Sequence, residues 1–207
     1  METTSRAGSR RREQTRARLL DAAHEVFGEV GMDAASVELI CERAGFTRGA
    51  FYSNFDSKDE LFLALITHLA EQKLDEVTVR VRDLRPGEVV DPPTLVRQLV
   101  GASIDQQMEP QLMSEIRTQA LRDARLGAAY LAWQGVLQQR VEDIIAHVVA
   151  TYGFRLRVGV PELAQLILDI NVETCVRAAI EERSAEEATA LFNERITRIV
   201  VALVDVD

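Results

Sequence analysis

Aromatic side chains make up only 5% of this 207-residue chain, and proline occurs five times. With Ala, Leu, Val, Arg and Glu abundant instead, the composition favours helices over strands. Only two cysteines are present, Cys41 and Cys175, far apart and each among apolar neighbours. They read as reduced, buried thiols of an intracellular protein rather than as a disulfide framework. No early apolar run with a cleavage site occurs, so no signal peptide is expected. No stretch of about 18 apolar residues occurs either, so no membrane span is expected, and the expected location is cytoplasmic. Enzyme motifs are missing as well: no H-E-x-x-H, no Walker loop, no G-x-G-x-x-G and no G-x-S-x-G. The three histidines, His24, His68 and His147, are isolated. The expectation is a protein that is not an enzyme, with no catalytic residues, no metal site and no cofactor.

What is present is hydrophobic mass and an uneven charge. Hydrophobic residues are 47% of the chain, enough to bury a substantial core, and the formal net charge is −9. Residues 1–55 hold eight Arg against eight Asp or Glu, so residues 56–207 carry the whole −9, with 16 basic and 25 acidic side chains. Within residues 1–20, six Arg face only Glu2 and Glu13, a net of +4. A basic end on an acidic body is the asymmetry expected when one end meets phosphates.

The chain reads as all-helical throughout. Residues 1–9 are polar and expected to be disordered. The Arg10-Arg11-Arg12 run leads into a first helix with Leu19, Leu20, Ala23, Val26, Phe27 and Val30 on one face, ended by Gly31. Ser57 to Glu60 has the S-x-x-E form of a capping box and opens a long fourth helix. Pro86-Gly87 and Asp91-Pro92-Pro93 mark a loop. Helices are then expected over Thr94 to about Met108, Pro110 to about Arg122, Asp123 to Tyr152, Pro161 to Glu182, and Ala185 to about Val204. The last opens at a second capping box, Ser184 to Glu187. Residues 154–160 read as a connector or a short strand, and no other strand pattern appears. About nine helices result, in two domains: 1–56, an N-terminal arm with a three-helix unit, and 57–207, a helical body.

The stretch from Gly31 to Lys58 is the most informative. Ser36 can cap one short helix, whose apolar face is Val37, Ile40, Cys41 and Ala44. Gly45 closes it, because a helix end often needs a left-handed residue that glycine adopts at little cost. Thr47 caps a second short helix, Arg48 to about Phe55. Helix, glycine-containing turn, helix is the layout of a helix-turn-helix, whose second helix would enter a DNA major groove.

The same stretch carries a family resemblance. It rests on Leu20-Asp21-Ala22-Ala23, Phe27 and Gly31, on Ala35-Ser36-Val37 with Ile40, on Arg43 through Tyr52, and on Asn54 through Leu61. In order, spacing and residue type, Thr15 to about Leu65 resembles the N-terminal domain of the tetracycline-repressor (TetR) family of bacterial transcription regulators. One departure is mild: Cys41 stands where Ala is usual. The resemblance covers about a quarter of the chain; the remainder shows only the family's general helical layout.

Eight residues are candidates for contact with double-stranded DNA. Ser36 and Thr47 start helices, whose free N–H groups and positive dipole ends favour phosphate. Arg48 could take a guanine edge or a phosphate. Gly49 and Ala50 are small enough to let the helix lie deep, and the Ala50 methyl could meet a thymine methyl. Tyr52 and Asn54 can reach phosphate oxygens, and Lys58 is placed for another. For Tyr52 and Lys58 the resemblance implies phosphate contacts. Arg43 is a weaker candidate. Phe51 and Phe55, one turn apart, read as core. The Arg10–Arg12 run is either a tail without a partner or, as the resemblance implies, an extra contact in the minor groove or on phosphate.

Uncharged polar and aromatic residues embedded in the body helices are candidates for a small-molecule effector site: His68, Gln72, Ser103, Gln107, Trp133, Gln134 and Asn171. Trp133 and Asn171 lead this group, His68 could equally be a structural histidine, and Arg117 could meet an anionic ligand. The last two helices are apolar on more than one face, through Leu163, Leu166, Ile167, Leu168, Ile170, Val172, Val176 and Ile180 and through Leu191, Phe192, Ile196, Ile199, Val200, Val201 and Leu203. Helices apolar on two sides need two partners, which suggests a homodimer joined by a four-helix bundle. The expected protein is a ligand-responsive repressor released from a palindromic operator by a small molecule. The competing expectation is a helical small-molecule-binding protein or enzyme with a vestigial DNA-binding domain.

Overall fold

The computed structural model describes residues 2–83, 91–100 and 110–205, and their side chains except those of 2–9, 73, 83 and 97–100. Nine helices and one short ribbon lie among them: α1 (Glu2–Ala34), α2 (Val37–Ala44), α3 (Arg48–Tyr52), α4 (Lys58–Asp83), α5 (Pro92–Val100), α6 (Pro110–Ala120), α7 (Ala124–Tyr152), β1 (Arg155–Leu156), α8 (Val160–Ile180), α9 (Ala185–Leu203) and β2 (Val204–Asp205). The all-helical reading therefore holds, with one difference. Helix α1 begins at Glu2, where a disordered arm over 1–9 is expected, because nothing between Arg10 and Ala23 interrupts the helix and it extends backwards. The 154–160 connector contains a two-residue strand, which pairs antiparallel with the chain after α9: Arg155 faces Asp205 and Leu156 faces Val204. Arg157 secures the ribbon by laying its guanidinium on both carboxylate oxygens of Asp205.

The chain forms two compact units, one of Met1–His68 with Gln111–Tyr130, the other of Leu69–Pro110 with Leu131–Asp207. The expected boundary after residue 56 divides the chain differently. The first unit also takes in the opening turns of α4 and most of α6, because Glu115 and Gln119 of α6 bond to Met32 and Asp33 at the end of α1.

The core of the first unit is built from the apolar faces of its helices. Leu19, Ala23, Val26 and Phe27 of α1 and Ile40, Phe51, Phe55, Leu61, Phe62 and Ile116 are all fully or almost fully buried. Phe27 and Phe62 pack edge to face with centroids 5.5 Å apart, an arrangement that favours aromatic pairs beyond their buried area. In the second unit α9 packs against α5 and α8. Val96, Phe192, Ile196 and Val200 form a buried cluster there, covered by Ile167, Ile170 and Val204.

Candidate nucleic-acid interface

Three local devices shape the helix-turn-helix. At the start of α2, the Ser36 hydroxyl accepts the Leu39 N–H at 3.1 Å. At its end, Gly45 takes the left-handed conformation (φ 70°, ψ 35°), and Phe46 N–H returns to the Cys41 carbonyl at 2.9 Å. At the start of α3, the Thr47 hydroxyl accepts the Ala50 N–H at 3.3 Å. These satisfy backbone groups that a helix end leaves without partners. The turn is also braced from α1. Arg18 donates to the Ala44 carbonyl at 2.8 Å, and Arg16 donates to the Asn54 carbonyl at 3.0 Å while lying 4.2 Å over the Phe55 ring.

Helix α3 buries Phe51 and leaves Arg48, Gly49 and Tyr52 exposed, with Thr47 exposed at its cap and Ala50 half-buried. Arg48 is paired to Glu38 of α2 at 2.7 Å, both side chains lying mostly in water. Its guanidinium lies 5.9 Å from the centre of the Tyr52 ring. The Tyr52 hydroxyl first, then the Glu38 carboxylate, raises the Arg48 pKa above its ordinary value. Such a surface ion pair is weak and exchangeable, so a phosphate or base edge can replace Glu38. Ser36 is exposed at the start of α2.

Two of the eight candidates, Asn54 and Lys58, and the weaker candidate Arg43 already have partners within the protein. Asn54 is 8% exposed, and its amide turns inward, donating to the Ala50 carbonyl at 2.8 Å and to the Ser53 hydroxyl at 3.3 Å. It closes the end of α3 rather than facing outward. Lys58 is part-buried and donates to the Met32 and Ala35 carbonyls at 2.6 and 3.0 Å, so two of its three N–H donors serve the end of α1. Arg43, the weaker candidate, is held by Glu25 and Glu29 of α1 at 3.1 and 2.7 Å, and those bonds raise its pKa. The Glu29 carboxyl is correspondingly lowered, chiefly by its hydrogen bond to Arg43. Burial raises the Cys41 pKa and so leaves the thiol protonated in the core.

The body candidates also separate. A cavity of about 240 Å³ lies within the second unit, lined from α4, α5, α7, α8, α9 and the ribbon. Of the described candidates, Asn171 lines it; His68, Gln72, Trp133 and Gln134 do not. Gln72 and Gln134 are exposed. The α7 wall comes from Val141 to Val149, the second half of the helix, whereas Trp133 and Gln134 belong to the first half. Ser103 and Gln107 lie outside the described residues. Arg117 donates to the Tyr130 hydroxyl at 2.9 Å inside the first unit and is not at the cavity. Among the described residues no group of His, Cys, Asp and Glu could hold a metal ion, and no helix is long and apolar enough to cross a membrane.

Two short helices at a glycine turn, braced by a third and presenting a polar face on the second, define a helix-turn-helix nucleic-acid-binding unit. Residues 19–65 match the family described as bacterial regulatory proteins, tetR family. The chain is 33% identical over 88 residues to the HTH-type transcriptional regulator AcrR of Shigella flexneri, an alignment covering 42% of this chain and 39% of that protein. It is 31% identical over 115 residues to the HTH-type transcriptional regulator UidR of Escherichia coli, covering 55% and 56%. The chain thus aligns with about half of these relatives' length or less. The likeness of fold reaches further. A TetR-family transcriptional regulator from Mesorhizobium loti superposes with a TM-score of 0.70 at 18% identity, covering 93% of this chain and 98% of that one.

Proposed function

We propose that the chain is a homodimeric repressor that binds a palindromic operator through α3 and is released by a small molecule held in the second unit. The observation that carries this reading is the division of α3, with Phe51 buried and Arg48, Gly49 and Tyr52 left exposed next to a capped N-terminus. A helix of that kind suits a major groove, with phosphates at its capped end and Arg48 able to meet a guanine edge. Residues 1–56 would read DNA, and residues 57–207 would bind effector and partner.

The dimer reading is supported by the outer faces of α8 and α9. Leu166, Val172, Ile180 and Val201 are 37%, 36%, 78% and 57% exposed in the single chain. A second copy would cover them, and two copies would set two α3 helices one DNA turn apart, about 34–36 Å, on half-sites of a palindrome.

The release step is supported by α4. Lys58, at its start, is bonded to the end of α1, and Leu74 and Val77, further along the same helix, line the cavity. A ligand that binds more tightly to one setting of α4 shifts the protein toward it, and operator DNA then weakens ligand binding by the same factor.

The test is fluorescence anisotropy with labelled duplexes tiled across the DNA flanking the gene. One palindromic segment should be retained at moderate salt. Arg48→Ala and Tyr52→Ala should each weaken it roughly ten- to hundredfold with an unchanged melting temperature. Equal retention by the wild type and both variants, or no selective retention, would refute the reading and favour a small-molecule-binding protein with a vestigial DNA unit.

A further inference from the structure

The effector cavity has unusually one-sided chemistry. Among the described residues twenty line it; nineteen are apolar and the twentieth is Asn171. No lining side chain among the described residues carries a charge. A carboxylate, phosphate or ammonium group entering it would shed its hydration and meet no counter-charge. Among the described residues aromatic rings contribute only Phe154 and Phe192, and Phe154 already stacks on Tyr152 at 5.6 Å, so these rings form no aromatic cage for a quaternary ammonium.

Asn171 sets the one polar point. Its Oδ1 accepts from the Cys175 thiol at 3.4 Å. Burial raises the Cys175 pKa, which keeps the thiol protonated and able to donate to that oxygen. Among the described residues the Nδ2 donors of Asn171 have no partner. An amide donor in an apolar wall calls for an acceptor, since leaving it unpaired is costly. Size follows from volume: an apolar cavity of about 150 Å³ takes benzene, so one of about 240 Å³ takes roughly ten heavy atoms.

We infer that this cavity binds a neutral, mainly hydrocarbon molecule of roughly ten heavy atoms whose single acceptor oxygen, of a ketone, ester or ether, sits on the Asn171 amide. The inference rests on reading the second unit as the effector-binding part, but its test needs no DNA.

Isothermal titration of the full chain with four compounds of similar size provides that test: methyl heptyl ketone, butylbenzene, nonanoate and hexyltrimethylammonium. The ketone should bind most tightly, butylbenzene more weakly, and the two ions not detectably. Asn171→Leu should weaken the ketone about tenfold and leave butylbenzene unchanged, because only the ketone uses the amide. Ile167→Trp, which fills the cavity, should abolish both neutral ligands while circular dichroism stays helical. Binding of either ion as tightly as the ketone would overturn the inference. So would an unchanged ketone affinity in Asn171→Leu, or no ketone binding by the folded wild type. The two readings fail separately: ketone binding without operator retention would leave the ligand class standing and remove the repressor, and the opposite pair of results would do the reverse.

Discussion

Lys58 and Glu115 hold one residue, Met32, from both sides. The Met32 N–H donates to Glu115 Oε2 at 2.8 Å, and the Met32 carbonyl accepts from Lys58 Nζ at 2.6 Å. The reason lies one residue earlier. Gly31 breaks the regular course of α1 with φ 76° and ψ 168°, so the turn after it lacks the helix's own partners at this point. A side chain from α4 and another from α6 supply them instead.

Lys58→Met keeps the length of the side chain and removes both bonds to the end of α1. The Met32 and Ala35 carbonyls lose a charged donor, and a hydrogen bond to a charged group contributes about 1.5–3 kcal/mol. Urea denaturation should therefore show a loss of about that size, and Lys58→Arg should recover part of it. A Lys58→Met protein as stable as the wild type would mean that the ammonium serves only DNA.

Glu115→Ala should cost about 1–3 kcal/mol, because the Met32 N–H is left without its acceptor in a part-buried place. Glu115→Gln keeps a carbonyl oxygen at that point and should cost less. Gly31→Ala attacks the same turn by another route: a Cβ there would sit 3.3 Å from Glu115 Oε1 on a backbone of positive φ that alanine resists. Thermal melts of the three variants should therefore rank Glu115→Gln above the other two.

What was legible in the sequence is what depends on neighbours along the chain. Ser36, Gly45, Thr47 and the Ser184–Glu187 box all act within four residues of themselves, and the structure has each in its expected place. The Ser57 box is a near miss: Ser57 caps Glu60 N–H, but the Glu60 carboxylate takes the Asp56 N–H instead of that of Ser57. What was not legible depends on partners far away in sequence. Arg16, Arg18 and Arg43 all count as basic charge, yet they are bound to Asn54, Ala44, Glu25 and Glu29 across distances the pattern does not carry. Asn171 apart, the described walls of the cavity come mostly from Val, Ile and Leu positions that no motif distinguishes from core.

Stability should fall in acid through a few exposed carboxylates. Glu187 is lowered from 4.5 by its bonds to Ser184, and Glu181 and Glu29 are lowered by arginines, Arg183 first for Glu181. A carboxylate lowered on folding stabilises the native state in full above its unfolded pKa and loses that contribution as pH falls through the folded value. Melting temperature should therefore hold steady from neutral pH and decline below about 4.5. Glu187→Gln should melt lower at pH 7 and decline less steeply in acid. Being exposed, each group adds only a small share, so a decline that begins well above 4.5 would point to other groups.

The salt dependence of binding to the proposed operator should separate arginines that meet phosphate from residues that shape the protein. Arg10, Arg11 and Arg12 are exposed on α1, and no ion pair ties them to the described residues. Each phosphate neutralised adds about 0.9 to the slope of log affinity against log salt. Replacing all three by alanine should reduce the slope by about 0.9 for every arginine that had met a phosphate, with little change in melting temperature. Asn54→Ala should do the opposite. Its inward amide bonds to Ala50 and Ser53 are lost, so the protein should melt lower, while the slope stays within error of wild type. A slope that falls by about 0.9 in Asn54→Ala would return Asn54 to the DNA surface, and an unchanged slope in the triple variant would leave the basic arm without a partner.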